Sequence, residues 1–408
     1  MKNKSITILI IVLLILIGGI TTYLVFFNSK GDESKQEETK TVETTKEDTA
    51  STDKLDFSSY ETTNVDLNKE SKLSITKKGV YNLTGTLNGY IEINTEDNVV
   101  LVLKSATINN TSGPCINVIN AKNVYIKLEG ESTLTDGTNY NIEEADACIY
   151  SKDDLIFYGD GTINVNANYN DGIVSKDDLL IYSGTINVTS KDDAIKGKDS
   201  VDIEDGSFNI TAGGDGIKST NEEDAEKGII TINGGNININ SETDGFDSTN
   251  KFIMNKGTIT INSGDDGVHA DGYLEINEGT LNITASEGLE ATYVKINGGT
   301  INISASDDGI NAGNKRSDYS VLIEINGGTV TIKMGQGDTD GIDSNGDLTI
   351  NGGTINVTGQ SAFDYDGTAT YNGGTLIVNG EEVQDITNQF GGMQGGMRGN
   401  PPQGGMRY

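Results

Sequence analysis

Residues 257–303 read GTITINSGDDGVHADGYLEINEGTLNITASEGLEATYVKINGGTINI. Gly257, Gly279 and Gly299 each open a short segment in which Ile or Leu alternates with Thr or Asn. An acid-Gly step follows at Asp266-Gly267 and Glu287-Gly288, and a third apolar piece at Leu274-Glu275-Ile276 and Val294-Lys295-Ile296. Apolar residues at every second position mark half-buried strands, and no helical period competes with them. One unit of about 22 residues therefore holds three short strands separated by turns, the size of repeat expected of a solenoid.

The unit extends well beyond this stretch. Its leading Gly recurs at 161, 184, 206, 235, 257, 279, 299, 328, 353 and 374, as in Gly161-Thr162-Ile163-Asn164-Val165 and Gly184-Thr185-Ile186-Asn187-Val188. The Asp-Gly-Ile column runs back to Ala147-Cys148-Ile149 and Pro114-Cys115-Ile116, and forward to Ser361-Ala362-Phe363. These observations predict an all-β chain: a parallel β-helix of 11 coils, three strands each, around a shared Ile/Val core that no single coil could form. At a strand spacing of ~4.8 Å the rod is ~50 Å long. Residues 57–113 are expected to supply a partial coil and a cap. Insertions fall at Asp136–Glu144, Thr220–Lys227, Gly313–Tyr319 and Gly335–Thr339. The second and third follow the same strand and should leave the same edge.

Both ends differ from the repeat. Ile6 to Phe27 is uncharged and mostly apolar, preceded by Lys2 and Lys4. About 20 such residues span a bilayer, and the cationic start places the body outside. Residues 1–27 are thus expected to be an uncleaved signal-anchor, or else a cleaved signal peptide that releases the protein. Residues 28–56 are Glu, Thr, Lys and Ser with too few apolar side chains to fold, and read as an acidic tether. Residues 389–408, with three Gly-Gly-Met steps, read as a low-complexity tail. The folded domain is expected over 57–388, at the cell surface.

Composition narrows the chemistry. The formal charge is −32, and the flanking segments cancel among themselves, so the acidity belongs to the repeat domain. Such a surface repels nucleic acid and anionic lipid. One His excludes a multi-His zinc site, and two Cys exclude a four-Cys site. Cys115 and Cys148 fall in one column of successive coils, close enough for a disulfide and equally consistent with two small stacked residues.

The acids are ordered. The first position of the Asp-Gly piece is Asp171, Asp193, Asp215, Asp244, Asp266, Glu287, Asp308 and Asp340. Two residues past the Gly stand Asp247, His269, Glu290, Asn311, Asp343 and Asp364, with Asp271 nearby. At ~4.8 Å and an effective dielectric of ~20, neighbouring unit charges repel by ~3.5 kcal/mol. Calcium would compensate, since Ca–O distances of ~2.4 Å let one ion touch two coils. The candidate ligands are Asp171, Asp193, Asp215, Asp244, Asp247, Asp266, Asp271, Glu290, Asp308, Asp340, Asp343 and Asp364. Asp-Gly is also good turn chemistry in its own right: Asp bonds nearby backbone and Gly takes positive φ. An Asn column (Asn233, Asn277, Asn297, Asn326, Asn351, Asn372) is expected to be structural, and the outward Thr/Asn rows a solvated face.

Together the Gly-Thr-Ile-Asn-Val/Asp-Gly-Ile array, the anchor and the Gly-Gly-Met tail resemble the clostridial calcium-bound, carbohydrate-binding β-helix family, which is similar to pectate lyases. The resemblance implies right-handed coils, bound calcium, and binding of cellulose or an acidic plant polysaccharide such as polygalacturonate. A non-catalytic, monomeric binding protein is the expectation. A structural adhesin for protein or cell wall is the first alternative. A calcium-dependent lyase is the second; its base would come from Arg316, Lys196 or Lys218.

Overall fold

The computed structural model describes residues 55–141, 144–336 and 339–388. The expected anchor, the Gly/Met tail and nearly all of the tether lie outside the described residues. No helix among the described residues is long and apolar enough to cross a membrane.

The chain winds as a parallel β-solenoid with three ladders. The Thr ladder stacks the Gly-Thr-Ile-Asn-Val strands, for example Thr162–Asn166 on Thr185–Thr189 on Ser207–Ala212. The Asp ladder stacks the Asp-Gly-Ile pieces, and the Ile ladder stacks segments such as Leu322–Ile325 on Asp347–Ile350. Alternation decides the faces. Ile163, Ile186, Phe208, Ile237 and Ile259 lie in one buried column of the Thr ladder, while the Asn and Thr between them face out. Each such buried side chain stabilises the fold by about 1.5–3 kcal/mol.

The solenoid has about 14 turns, more than the 11 expected. The additional turns come from residues 62–113. Lys72–Ile75 pairs with Tyr90–Asn94, and Gly79–Asn88 with Val99–Asn109. These segments keep the apolar alternation, and Gly85 turns as the later leading glycines do, but they lack the Asp-Gly-Ile step that made later coils countable. At the far end the pairing reverses: Thr375–Val378 and Glu381–Val383 form an antiparallel hairpin with Ile386 buried beside it.

The two glycines of a unit do different work. The Gly before Thr takes the left-handed turn, with φ between 85° and 137° at Gly184, Gly206, Gly235, Gly257, Gly279, Gly299, Gly328, Gly353 and Gly374. The Gly after Asp does not, which corrects the turn expectation. It is there for close approach: a Cβ on Gly245 would stand 2.5 Å from both the Gly267 carbonyl and Ile261 Cγ2. The Asn column is a continuous amide stack. Asn255 donates to Asn233, Asn277 to Asn255, Asn297 to Asn277, Asn326 to Asn297, Asn351 to Asn326 and Asn372 to Asn351, all at 2.7–2.9 Å. Cys115 and Cys148 are buried free thiols on neighbouring rungs, Cys115 N–H donating to the Cys148 carbonyl at 2.8 Å.

Candidate functional site

The acids of the Asp ladder hold coils together before they do anything else. Asp171 Oδ1 accepts the backbone N–H of Asp193, Asp193 that of Asp215, Asp215 that of Asp244, Asp244 that of Asp266, and Asp308 that of Asp340, at 2.8–3.2 Å. The sequence suggested that each Asp bonds its own turn; it bonds the next coil. One carboxylate oxygen is thereby committed, and the other is left to face its neighbours.

Beside it runs the outward column, in continuous register: Val174, Lys196, Lys218, Asp247, His269, Glu290, Asn311, Asp343 and Asp364. Its first half contains cations. Lys196 Nζ sits 2.5 Å from Asp171 and 2.9 Å from Asp193. Lys218 Nζ sits 2.5 Å from Asp215 and 2.9 Å from Asp247. His269 places Nδ1 2.9 Å from both Asp266 and Glu290, and Nε2 3.2 Å from Asp271. Lys315, from the insertion after residue 312, reaches Glu290 at 2.7 Å. Burial opposes the charge on His269, but hydrogen bonds to Asp266, Asp271 and Glu290 outweigh it and push the imidazole up to about 12. His269 is therefore a cation, not a free ligand. Burial likewise works against ionised Glu290, yet His269 and Lys315 bring it down to about 2.

The second half has no such partner. Among the described residues no Lys, Arg or His pairs with Glu287, Asp308, Asp343 or Asp364. Burial first, then neighbouring carboxylates, push Glu287 and Asp343 up to about 7 and Asp308 to about 6. The Glu287 Oε2 accepts only from Asn311 Nδ2, at 3.0 Å.

Four groups among the described residues bring ligand atoms within 4.8 Å of one another: Asp171/Asp192/Asp193, Asp215/Asp244/Asp247, Asp244/Asp266/His269 and Asp266/Glu287/Glu290. Of the candidate ligands, Asp171, Asp193, Asp215, Asp244, Asp247, Asp266 and Glu290 fall in these groups. Asp271 instead braces His269, and Asp308, Asp340, Asp343 and Asp364 are in none of these groups. The all-oxygen sets have the donor chemistry of a hard cation such as calcium, but Lys196, Lys218 and His269 with Lys315 already bridge acids in all three. Asp192 and Glu287 were not in the candidate set. Lys196 and Lys218 were candidate bases and serve as counterions, a role signalled by the Asp-x-x-Lys spacing they share with Asp266-x-x-His269.

Two insertions meet on the neighbouring edge, as their shared strand position implied. Asn250, 1% exposed, donates to the Ala225 and Lys227 carbonyls at 2.5 and 2.9 Å and accepts from Tyr319 Oη at 3.3 Å. Arg316 is forked onto Asp318 and donates to the Thr249 carbonyl at 3.1 Å. It fastens a loop.

A family described as carbohydrate-binding domain-containing protein matches residues 69–266 and 264–389. The chain belongs to that family. A carbohydrate-binding domain-containing protein of Acetivibrio thermocellus is 39% identical over 129 residues, which is 29% of this chain and 45% of the relative. The chain thus spans less than half the length of that curated relative. A solved structure described as the polysaccharide lyase-like protein from C. thermocellum, gadolinium derivative, is 36% identical with a TM-score of 0.52, covering 54% of this chain and 98% of the other. The carbohydrate-binding domain thus shares its solenoid with a lyase-like protein.

Proposed function

We propose that this carbohydrate-binding domain protein is a non-catalytic, calcium-loaded rod that holds polysaccharide at the cell surface, tethered through residues 1–56. The observation that carries the calcium reading is the run Glu287, Asp308, Asp343 and Asp364, acids stacked without a cation of the chain's own. Glu287 and the carboxylates further along, Asp308, Asp343 and Asp364, would hold the ion; when bound it neutralises the stack and offers open coordination positions to oxygen ligands. The similar solved structure being a gadolinium derivative agrees with this reading, because gadolinium is also a hard, oxygen-seeking cation. Charge gives the polymer class a test. A domain this acidic repels polygalacturonate unless cations intervene, whereas neutral cellulose is indifferent to them.

A lyase is the second reading, favoured by the lyase-like neighbour. A β-elimination base must be able to lose its proton. Burial works against the charge on Lys196 and Lys218, yet their carboxylates more than offset it and hold both strongly protonated. Arg316 is consumed by Asp318 and Thr249. Binding without cleavage is therefore preferred.

The test is retention of the full chain, in non-ionic detergent, on polygalacturonate and on cellulose, with calcium and with EDTA, alongside a thermal melt. Retention on polygalacturonate that calcium strengthens and EDTA weakens, with no unsaturated uronate released, is the expected result. No retention on either polymer would remove the carbohydrate assignment and favour an adhesin.

A further inference from the structure

The same coils carry a second charged stripe of opposite sign. Lys152, Lys176 and Lys198 each follow the Asp-ladder strand of successive coils, and their backbones bond in sequence: Lys176 N–H to Ser151, Lys198 N–H to Ser175. With Glu144, Tyr150 and Asp177 they line one surface groove. In a chain of charge −32, a place where cations outnumber acids is unusual.

The aspartates that alternate with these lysines in the sequence do not neutralise them. Asp153 accepts the Ala121 N–H at 2.7 Å, and Asp154 the Asp178 N–H at 3.2 Å. Asp178 accepts from the Ser200 hydroxyl at 2.9 Å. Asp199 is taken by Asn221 and Lys227, at 2.6 and 2.5 Å. Among the described residues Lys152 pairs only with exposed Glu144, Lys176 approaches Asp146 at 3.8 Å and stands 5.4 Å over the Tyr150 ring, and Lys198 makes no ion pair. The three lysines stand on successive rungs, whose backbones are ~4.8 Å apart. The groove they line leaves them open to an anion.

The geometry points to this groove as a direct, metal-free site for a carboxylated polysaccharide, the lysines meeting uronate carboxylates above the buried Tyr150 ring. The inference rests on the polysaccharide-binding reading and adds a second mode to it. At physiological salt, charges beyond about 8 Å are screened, so the local stripe can act despite the acidic domain.

The full chain and its Lys152→Gln/Lys176→Gln/Lys198→Gln variant, both in non-ionic detergent, would be compared on polygalacturonate in EDTA at low and high salt. Cellulose with calcium and a thermal melt serve as controls. The expected result is salt-sensitive retention of the wild type in EDTA, about tenfold weaker for the variant, with matching melts. A triple Lys→Arg variant should retain the wild-type affinity. Equal retention of wild type and Gln variant in EDTA would overturn the site, as would wild type that fails to bind polygalacturonate in EDTA at low salt while still binding either polymer with calcium. Failure of wild type to bind either polymer in any buffer would overturn the polysaccharide reading and this site with it.

Discussion

The acidic face has two halves built from the same repeat and neutralised by different means. From Asp171 to Glu290, the chain inserts its own cations between coils: Lys196, Lys218, His269 and Lys315. From Asp308 to Asp364 the described residues place no such cation between coils: Asp340 follows Asp308 and Asp364 follows Asp343. The backbone clamp of Asp onto the next N–H is common to both. The difference teaches that the inner acid column is a structural device, and that the outward column decides whether the face is internally balanced or dependent on an added ion.

The contrast can be broken most strongly at Lys218. Its removal in Lys218→Met leaves buried Asp215 facing Asp247 with nothing between them, which costs about 3 kcal/mol. Urea unfolding in EDTA should report this, and calcium should recover part of it by entering the vacated position. If calcium gives the variant no more than it gives the wild type, an ion does not substitute for the lysine. Wild type itself should gain about 2.7 kcal/mol with calcium a hundredfold above Kd, about 4 °C in Tm for a domain of this size. Asp343→Asn should shrink that gain while leaving the melt in EDTA unchanged or slightly higher, because it removes a repulsive charge. A calcium response untouched by this substitution would place the ion elsewhere.

Asn250→Ala tests the boundary between the halves. It removes the amide shared by both insertions, for about 2 kcal/mol. It also loosens the loop that carries Lys315 to Glu290, so the calcium response should grow as Glu290 loses a cation. The smallest effect is expected at Asn277→Ala, about 1 kcal/mol. The amide stack donates and accepts along its own length, so its loss should be the same with calcium or EDTA.

Much of the solenoid was legible because Gly-Thr-Ile-Asn-Val exposes its alternation plainly. The early turns were missed because Tyr90-Ile91-Glu92-Ile93, although Gly89 precedes it, has no Asp-Gly-Ile step by which a coil could be counted. Register was legible too: Asp266 does lie beside Glu287, and Asp247 beside His269. What spacing could not give was the direction of long side chains. Lys196 and Lys218 share a column, yet one ammonium reaches back to the preceding coil and the other forward to the next. The free lysines were hidden for a related reason. Lys152-Asp153 and Lys176-Asp177 look self-neutralising until the Asp153 carboxylate is seen bonding the backbone of another coil and Asp177 making no pair with Lys176.

The terminal hairpin has a consequence for growth. A stack of parallel rungs is a template: its last open strand can accept one more strand, from its own chain or from another molecule. Here the last addition, Glu381–Val383, runs against the direction of the others and presents exposed Glu381 and Glu382. A second rod arriving at that end would meet the wrong polarity and two negative charges, the devices by which edges resist joining. The repeat could extend without limit by its own logic, and the final residues of the domain are where that logic is stopped.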